Sequence, residues 1–160
     1  MAKILVADEV WVATALLHLN NPDQRDFAVG EIVRQAEIEK ITGPRPVRPG
    51  VQIHAYLHCV ANKPPNPARY RMLIETSKGR RRLFKPGDPC HHLRTGKNAP
   101  NKEDIPKKYR KLLDWYHLDY AGGCDSEEID PILSLRGMGK SIWNQEDADS
   151  YVNQLRAGWK

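Results

Sequence analysis

Past residue 62 the hydrophobic period of the chain changes. Before that point apolar residues recur at helical spacing; beyond Lys63-Pro64-Pro65-Asn66-Pro67 they alternate. Tyr70, Met72 and Ile74 alternate with Arg71, Leu73 and Glu75, and residues 81–85 form a second short run. Ser77-Lys78-Gly79-Arg80 joins them. A period of 2 on both sides of a tight glycine-containing turn predicts a β-hairpin. Short helices followed by one hairpin make the expected fold class mainly α with a small hairpin, an α+β fold.

The helices follow from spacing and punctuation. A first helix is expected over residues 8–19, with Asp8 as its N-cap and Val10, Ala13, Leu16 and Leu17 on its apolar side. Asn20-Asn21-Pro22-Asp23 ends it. Phe27-Ala28-Val29 leaves room for one or two strand residues, and residues 30–40 read as a second helix through Ile32, Val33 and Ala36. Ten of the twelve prolines lie between Pro44 and Pro106, where they mark the joints. A third helix is expected over residues 50–61. Its helical wheel puts Ile53, Tyr56, Leu57 and Val60 on an inward face and Gln52, Ala55, His58, Cys59 and Asn62 on the other. A proline-rich polar crossing over 86–106 leads to a fourth helix over 105–120, which Ala121-Gly122-Gly123 ends.

Charge is divided unevenly along the chain. Residues 1–40 hold four Lys/Arg against seven Asp/Glu, residues 41–120 hold seventeen against six, and residues 121–160 hold four against seven. The mild net charge of +5 is therefore a basic middle of +11 between two acidic ends of −3. Such a block suits a polyanion, nucleic acid first among them. Four cations near a hairpin tip, Lys78, Arg80, Arg81 and Arg82, repel one another and make sense opposite phosphates.

Helix, short strand, helix, turn, helix, hairpin is the order of a winged helix-turn-helix. There the third helix enters the major groove and the wing grips the backbone. On this reading Arg45, Arg48, Gln52, Ala55, His58, Asn62 and Lys63 are the groove candidates, and Lys78, Arg80, Arg81 and Arg82 the wing contacts. About six phosphates met in this way give a slope of about −5 for log affinity against log salt.

Other chemistries have weaker sequence support. His54-x3-His58-Cys59 and Cys90-His91-His92 supply metal-ligating types, but only half of a paired knuckle is present, so no metal and no cofactor is expected. His91-His92, Asn98 or Asn101, and His117 follow the residue order of a His-Asn-His nuclease without its compact spacing. There is no G-x-S-x-G elbow. Gly137-x-Gly139-Lys140-Ser141 lacks the first glycine of a phosphate loop. The chain is expected not to be an enzyme. No run of 18 uncharged apolar residues exists, the opening MAKILVADE is not a signal peptide, and three cysteines make no disulfide framework. These features predict a cytoplasmic protein without a membrane span.

The expected domains are a DNA-binding unit over 1–121, an acidic linker over 122–130 and a tail over 131–160. In the tail, Asn144 caps a helix whose stripe is Ala148, Tyr151, Val152, Leu155 and Trp159. That stripe is too small to fold alone and needs a surface to dock on.

Two stretches carry resemblances. Residues 7–120, above all HCVANKPPNPARYRMLIET (58–76) and GRRRLFKPGDP (79–89), resemble an uncharacterised prokaryotic domain family of winged-helix type. LRGMGKSIWNQEDADSYVNQLRAGWK (135–160) is similar to the C-terminal tail of type II antitoxins. That resemblance implies a tail that wraps a toxin, often a PIN-domain ribonuclease, while the N-terminal part binds DNA. It implies that Arg136 and Lys140 neutralise the carboxylates around the toxin's Mg²⁺, with Ile142, Trp143, Tyr151, Val152, Leu155 and Trp159 as anchors. The N-terminal part is larger than the small DNA-binding folds usual in antitoxins. The expected function is an antitoxin-like regulator that binds double-stranded DNA as a homodimer. The alternatives are a stand-alone winged-helix transcriptional regulator whose tail mediates dimerisation, and a metal-dependent nuclease using His54, His58 or His91.

Overall fold

The computed structural model describes residues 4–43, 46, 48–122 and 156. The chain divides into two units at residues 124/125, and the tail expectations, Arg136, Lys140 and the six anchor residues among them, lie outside the described residues. So does Arg45.

The elements are α1 (Val6–Asn20), β1 (Phe27–Ala28), α2 (Val29–Glu39), α3 (Gly50–Ile53, continued by a π-helical turn His54–His58), β2 (Leu73–Ser77) and β3 (Arg80–Leu83). A 3₁₀ turn (Lys107–Tyr109) opens α4 (Arg110–Trp115), which runs on as a second π-helical turn, Tyr116–Tyr120. The fold is α+β, with four helices and a three-stranded antiparallel sheet of order β1-β3-β2. Phe27 pairs with Arg81 and Ala28 with Arg80, so the two-residue β1 closes the sheet edge. The hairpin turns on Lys78-Gly79, with Ser77 opposite Arg80 and Gly79 at φ +78°. That positive φ is what a side chain would resist.

α1 departs from expectation. Asp8 does not cap it; Leu5 does, and Asp8 lies within the first turn. Every residue from Ala7 to Ala15 is buried, so α1 is enclosed on all sides rather than amphipathic. Its two acids are buried with it, and each holds one of the proline-rich loops. Glu9 receives the Nε and Nη2 of Arg48 at 2.9 and 2.7 Å, while Arg48 Nη1 donates to the Ile4 carbonyl. Asp8 lies 2.7 Å from Lys97 Nζ, which also reaches Asp104 at 3.3 Å. Burial raises the Asp8 carboxyl above its usual range, against the pull of Lys97. Both acids sit at the positive end of the helix dipole.

Around α1 the core gathers Trp11, Phe27, Ile32, Met72, Leu73, Leu83 and Tyr116. The Trp11 and Tyr116 rings meet edge to face at 5.4 Å, and the Tyr116 hydroxyl donates to the Phe84 carbonyl at 2.6 Å. α2 starts at Ala28, whose N–H donates to the Glu31 carboxylate at 2.6 Å. The crossing over 86–106 is stitched to the chain before β2: Gly96 N–H donates to the Arg69 carbonyl and Arg71 N–H to Lys97. A Cβ on Gly96 would stand 2.6 Å from the Arg69 oxygen, so only glycine fits there. No described helix is long and apolar enough to cross a membrane.

Candidate nucleic-acid interface

α3 is turned part of the way from the expected orientation: Val60 is buried and Gln52 and Asn62 are exposed as expected, but Ile53 and Tyr56 face outward and Ala55 and Cys59 inward. Val51, Ala55 and Cys59 are fully buried, whereas Ile53 is 53% and Tyr56 50% exposed. The inward face is the one with small side chains, because a helix laid close against its neighbours needs little bulk between them. A Cβ on Gly50 would already stand 3.5 Å from the Val6 side chain. Ala55, taken as a groove contact, is therefore a core residue. The outward face is Gln52, Ile53 and Tyr56, with His54, Leu57 and His58 half-buried.

The C-terminal end of α3 is held by two buried arginines. Arg81 is 0% exposed; its Nε donates to the Ala55 carbonyl at 3.2 Å and its Nη2 to Tyr56 at 3.1 Å. Arg94 is 3% exposed; it donates to the Leu57 carbonyl at 2.9 Å and the His58 carbonyl at 2.8 Å. Four successive carbonyls, the set that a helix end leaves unpaired, thus each receive a guanidinium N–H. The positive charges also oppose the negative end of the helix dipole. Arg94 goes on to the carbonyls of Lys63, Pro64 and Tyr70, fixing the loop after the helix.

Arg81 is accordingly not a wing contact. The hairpin cations, read in sequence as a free cluster, are mostly paired within the molecule. Arg80 Nε lies 2.5 Å from Asp26 Oδ1, and Thr76 donates to the other Asp26 oxygen. Those bonds, Thr76 before Arg80, hold Asp26 below the usual carboxylate range. Arg82 makes a two-pronged pair with Asp88 at 2.7 and 2.5 Å. Lys63 pairs with Glu75 at 2.6 Å, and Arg81 reaches the same carboxylate at 3.3 Å. Asn62 donates to and accepts from the backbone of Glu75, extending the edge of β2. Lys78, at the turn, is exposed and makes no ion pair among the described residues. Of the sequence candidates Gln52, Asn62 and Lys78 are exposed, and His58, Lys63, Arg80, Arg82 and the one-third exposed Arg48 are partly exposed.

His54, His58 and Cys59 are neighbours. The two rings meet at 4.9 Å and Cys59 Sγ lies 3.6 Å from His54 Nδ1. Burial pushes the Cys59 thiol well up, away from the thiolate that a metal or a nucleophile needs. Burial first, then His58 and Arg48, lowers His54 to about 4. Among the described residues no three His, Cys, Asp or Glu side chains are grouped to hold an ion.

Sequence reasoning gave no role to Glu9 or Arg94, and it took Asp8 for an N-cap where it is a buried loop anchor. Two acids opening an otherwise apolar helix were a signal for Asp8 and Glu9; Arg94, in a polar loop, carried none. No family model matches the chain, and no curated protein or solved structure matches it.

Proposed function

We propose that the described domain is a winged-helix module that binds duplex DNA, with the outward face of α3 in the major groove and the β2–β3 turn on the adjacent backbone. The carrying observation is the element order together with the sheet order β1-β3-β2, which leaves α3 on the surface with its far end anchored. For the whole chain we propose an antitoxin-like, non-enzymatic regulator, homodimeric and cytoplasmic. Its residues 131–160 neutralise a PIN-type ribonuclease; the density of the antitoxin pattern over 135–160 supports this half of the reading.

Salt dependence tests the DNA half. With Arg81 buried, Lys78 is the one cationic hairpin or α3 candidate that makes no ion pair among the described residues, and Arg48, Lys63, Arg80 and Arg82 reach a phosphate only by exchanging Glu9, Glu75, Asp26 and Asp88 for it. Five such contacts at most give a slope no steeper than about −4.5 for log affinity against log salt, and each pair that holds makes it shallower. Titration of a labelled duplex at several salt concentrations measures it; binding that ignores salt would refute the DNA half.

Removing residues 125–160 tests the other half. The truncated chain is expected to keep its melting temperature and its duplex affinity while losing all protection against a co-expressed PIN-type ribonuclease toxin. Loss of dimerisation, with toxin protection intact, would favour the stand-alone regulator.

A further inference from the structure

We propose that the outward side of α4 holds a stretch of the duplex sugar–phosphate backbone, with Lys107, Arg110 and Lys111 as its contacts. This rests on the duplex-binding reading above and adds a second phosphate surface to that of the hairpin.

The hairpin cations are mostly consumed inside the molecule; those of α4 are not. Lys107 and Lys111 are exposed and Arg110 is half-buried. None of the three side chains makes an ion pair or a hydrogen bond among the described residues. Tyr109, Leu112, Leu113 and Tyr116 are buried, which turns Lys107 and Lys111 to the far side of the helix. Lys108 is 63% exposed and lies 3.7 Å from Glu39, which also accepts the Tyr109 hydroxyl at 2.5 Å. The end of α2 therefore meets the start of α4, and Lys40, next in the chain, is exposed and makes no ion pair among the described residues.

The fold itself gains nothing from these charges. α1 opens on Asp8 and Glu9 and α2 on Glu31, acids that suit the positive end of a helix dipole. The helical run Lys107–Tyr120 instead opens on four cations at that end. Lys107 and Lys111 stand four apart, where like charges repel. The buried Nε of Arg110 has no partner. Asp114, the one acid among residues 107–114, is exposed and pairs with none of them, so these two turns carry a net charge of +3. Cations set against the dipole and against one another are stabilised by an anion from outside. No apolar side chain is exposed between residues 107 and 114. Protein interfaces are built around aromatic and apolar centres from which lysine is depleted, whereas phosphates are held by lysine and arginine without any such centre.

The test measures affinity of the full chain for a long duplex of random sequence at several salt concentrations. Lys107→Gln/Lys111→Gln is expected to flatten the slope of log affinity against log salt by about 1.8, from about 0.9 for each phosphate. Carried from 1 M to about 0.15 M salt, that is roughly thirty-fold weaker binding, with base preference and melting unchanged. Lys107→Arg/Lys111→Arg, which keeps the charge, is expected to retain the parent's slope and affinity. A parent-like slope in the glutamine variant, where Lys78→Gln flattens it, overturns the α4 contact and leaves duplex binding standing. A loss of affinity shared by the arginine variant, with lowered melting in both, traces the effect to the fold and overturns the contact as well. A parent chain that ignores duplex but binds phosphatidylserine vesicles, through charges that the glutamine variant lacks, gives the patch to a lipid surface and overturns both.

Discussion

Arg94→Ala is expected to lower the unfolding free energy of the domain by about 3–5 kcal/mol and its melting temperature by roughly 10–20 °C. Five carbonyl oxygens, those of Leu57, His58, Lys63, Pro64 and Tyr70, accept from this one guanidinium. No carboxylate among the described residues pairs with it. The Leu57 carbonyl keeps the Val60 N–H at 3.3 Å, and the other four acceptors are left facing a hole at about 1 kcal/mol apiece, since a buried polar group without a partner costs that much or more. Lysine is not a substitute: its donors share one nitrogen and cannot span a fan of acceptors from two segments. Arg94→Lys is therefore expected to recover less than half of the loss. Lys107→Ala, on an exposed cation, should change stability by less than about 0.5 kcal/mol. Thermal and urea melts of the three variants decide it. An Arg94→Ala domain as stable as the parent would mean that water replaces the guanidinium.

Acidification from pH 7 towards pH 4 is expected to remove up to about 3 kcal/mol through His18 alone. Its Nε2 accepts the Leu83 N–H at 3.3 Å, between the rings of Phe27 and Tyr120. Burial, with Arg82 and Lys85 adding to it and Asp26 opposing, lowers it from 6.5 to about 4. The unfolded chain takes up a proton as pH falls through 6.5, while the folded domain refuses it until about 4. Across that window the unfolded state binds more protons, so stability rises with pH and is complete only above the unfolded value. His54 shifts in the same direction, to about 4, but is partly exposed and contributes less. Asp26, held low by Thr76 and Arg80, also loses its contribution as pH falls. Asp8, raised by burial, has the opposite slope and is relieved by acid. His18→Gln is expected to be less stable at pH 7 yet nearly flat from pH 7 to pH 5. Melting temperatures across that range measure both slopes, and equal slopes would exclude His18 as the source.

Where sequence and structure agree, the signal was local. The hairpin announced itself by alternation on both sides of Lys78-Gly79, and β1 by its position between two helices. Where they part, the cause is tertiary. α1 has no polar face because it is surrounded, so its ends rather than its period defined it. The phase of α3 was set by its bulkiest residues, whereas Val51, Ala55 and Cys59 pack inward because they are small. A run of Arg80, Arg81 and Arg82 looks uniform in sequence. Strand alternation separates it into a surface pair with Asp26, a buried helix cap and a two-pronged pair with Asp88. Charge counted along a chain overstates charge available to a ligand.

The double arginine cap on α3 has an evolutionary consequence. The orientation of the helix is set by Arg81 from the sheet and Arg94 from the crossing loop. The side chains at positions 52 and 53 take no part in holding it. Drift at these two positions is then nearly free of folding cost, whereas drift at positions 81 and 94 is not. Descendants of this chain can vary the outward face of α3 by surface substitution alone, with the frame inherited intact.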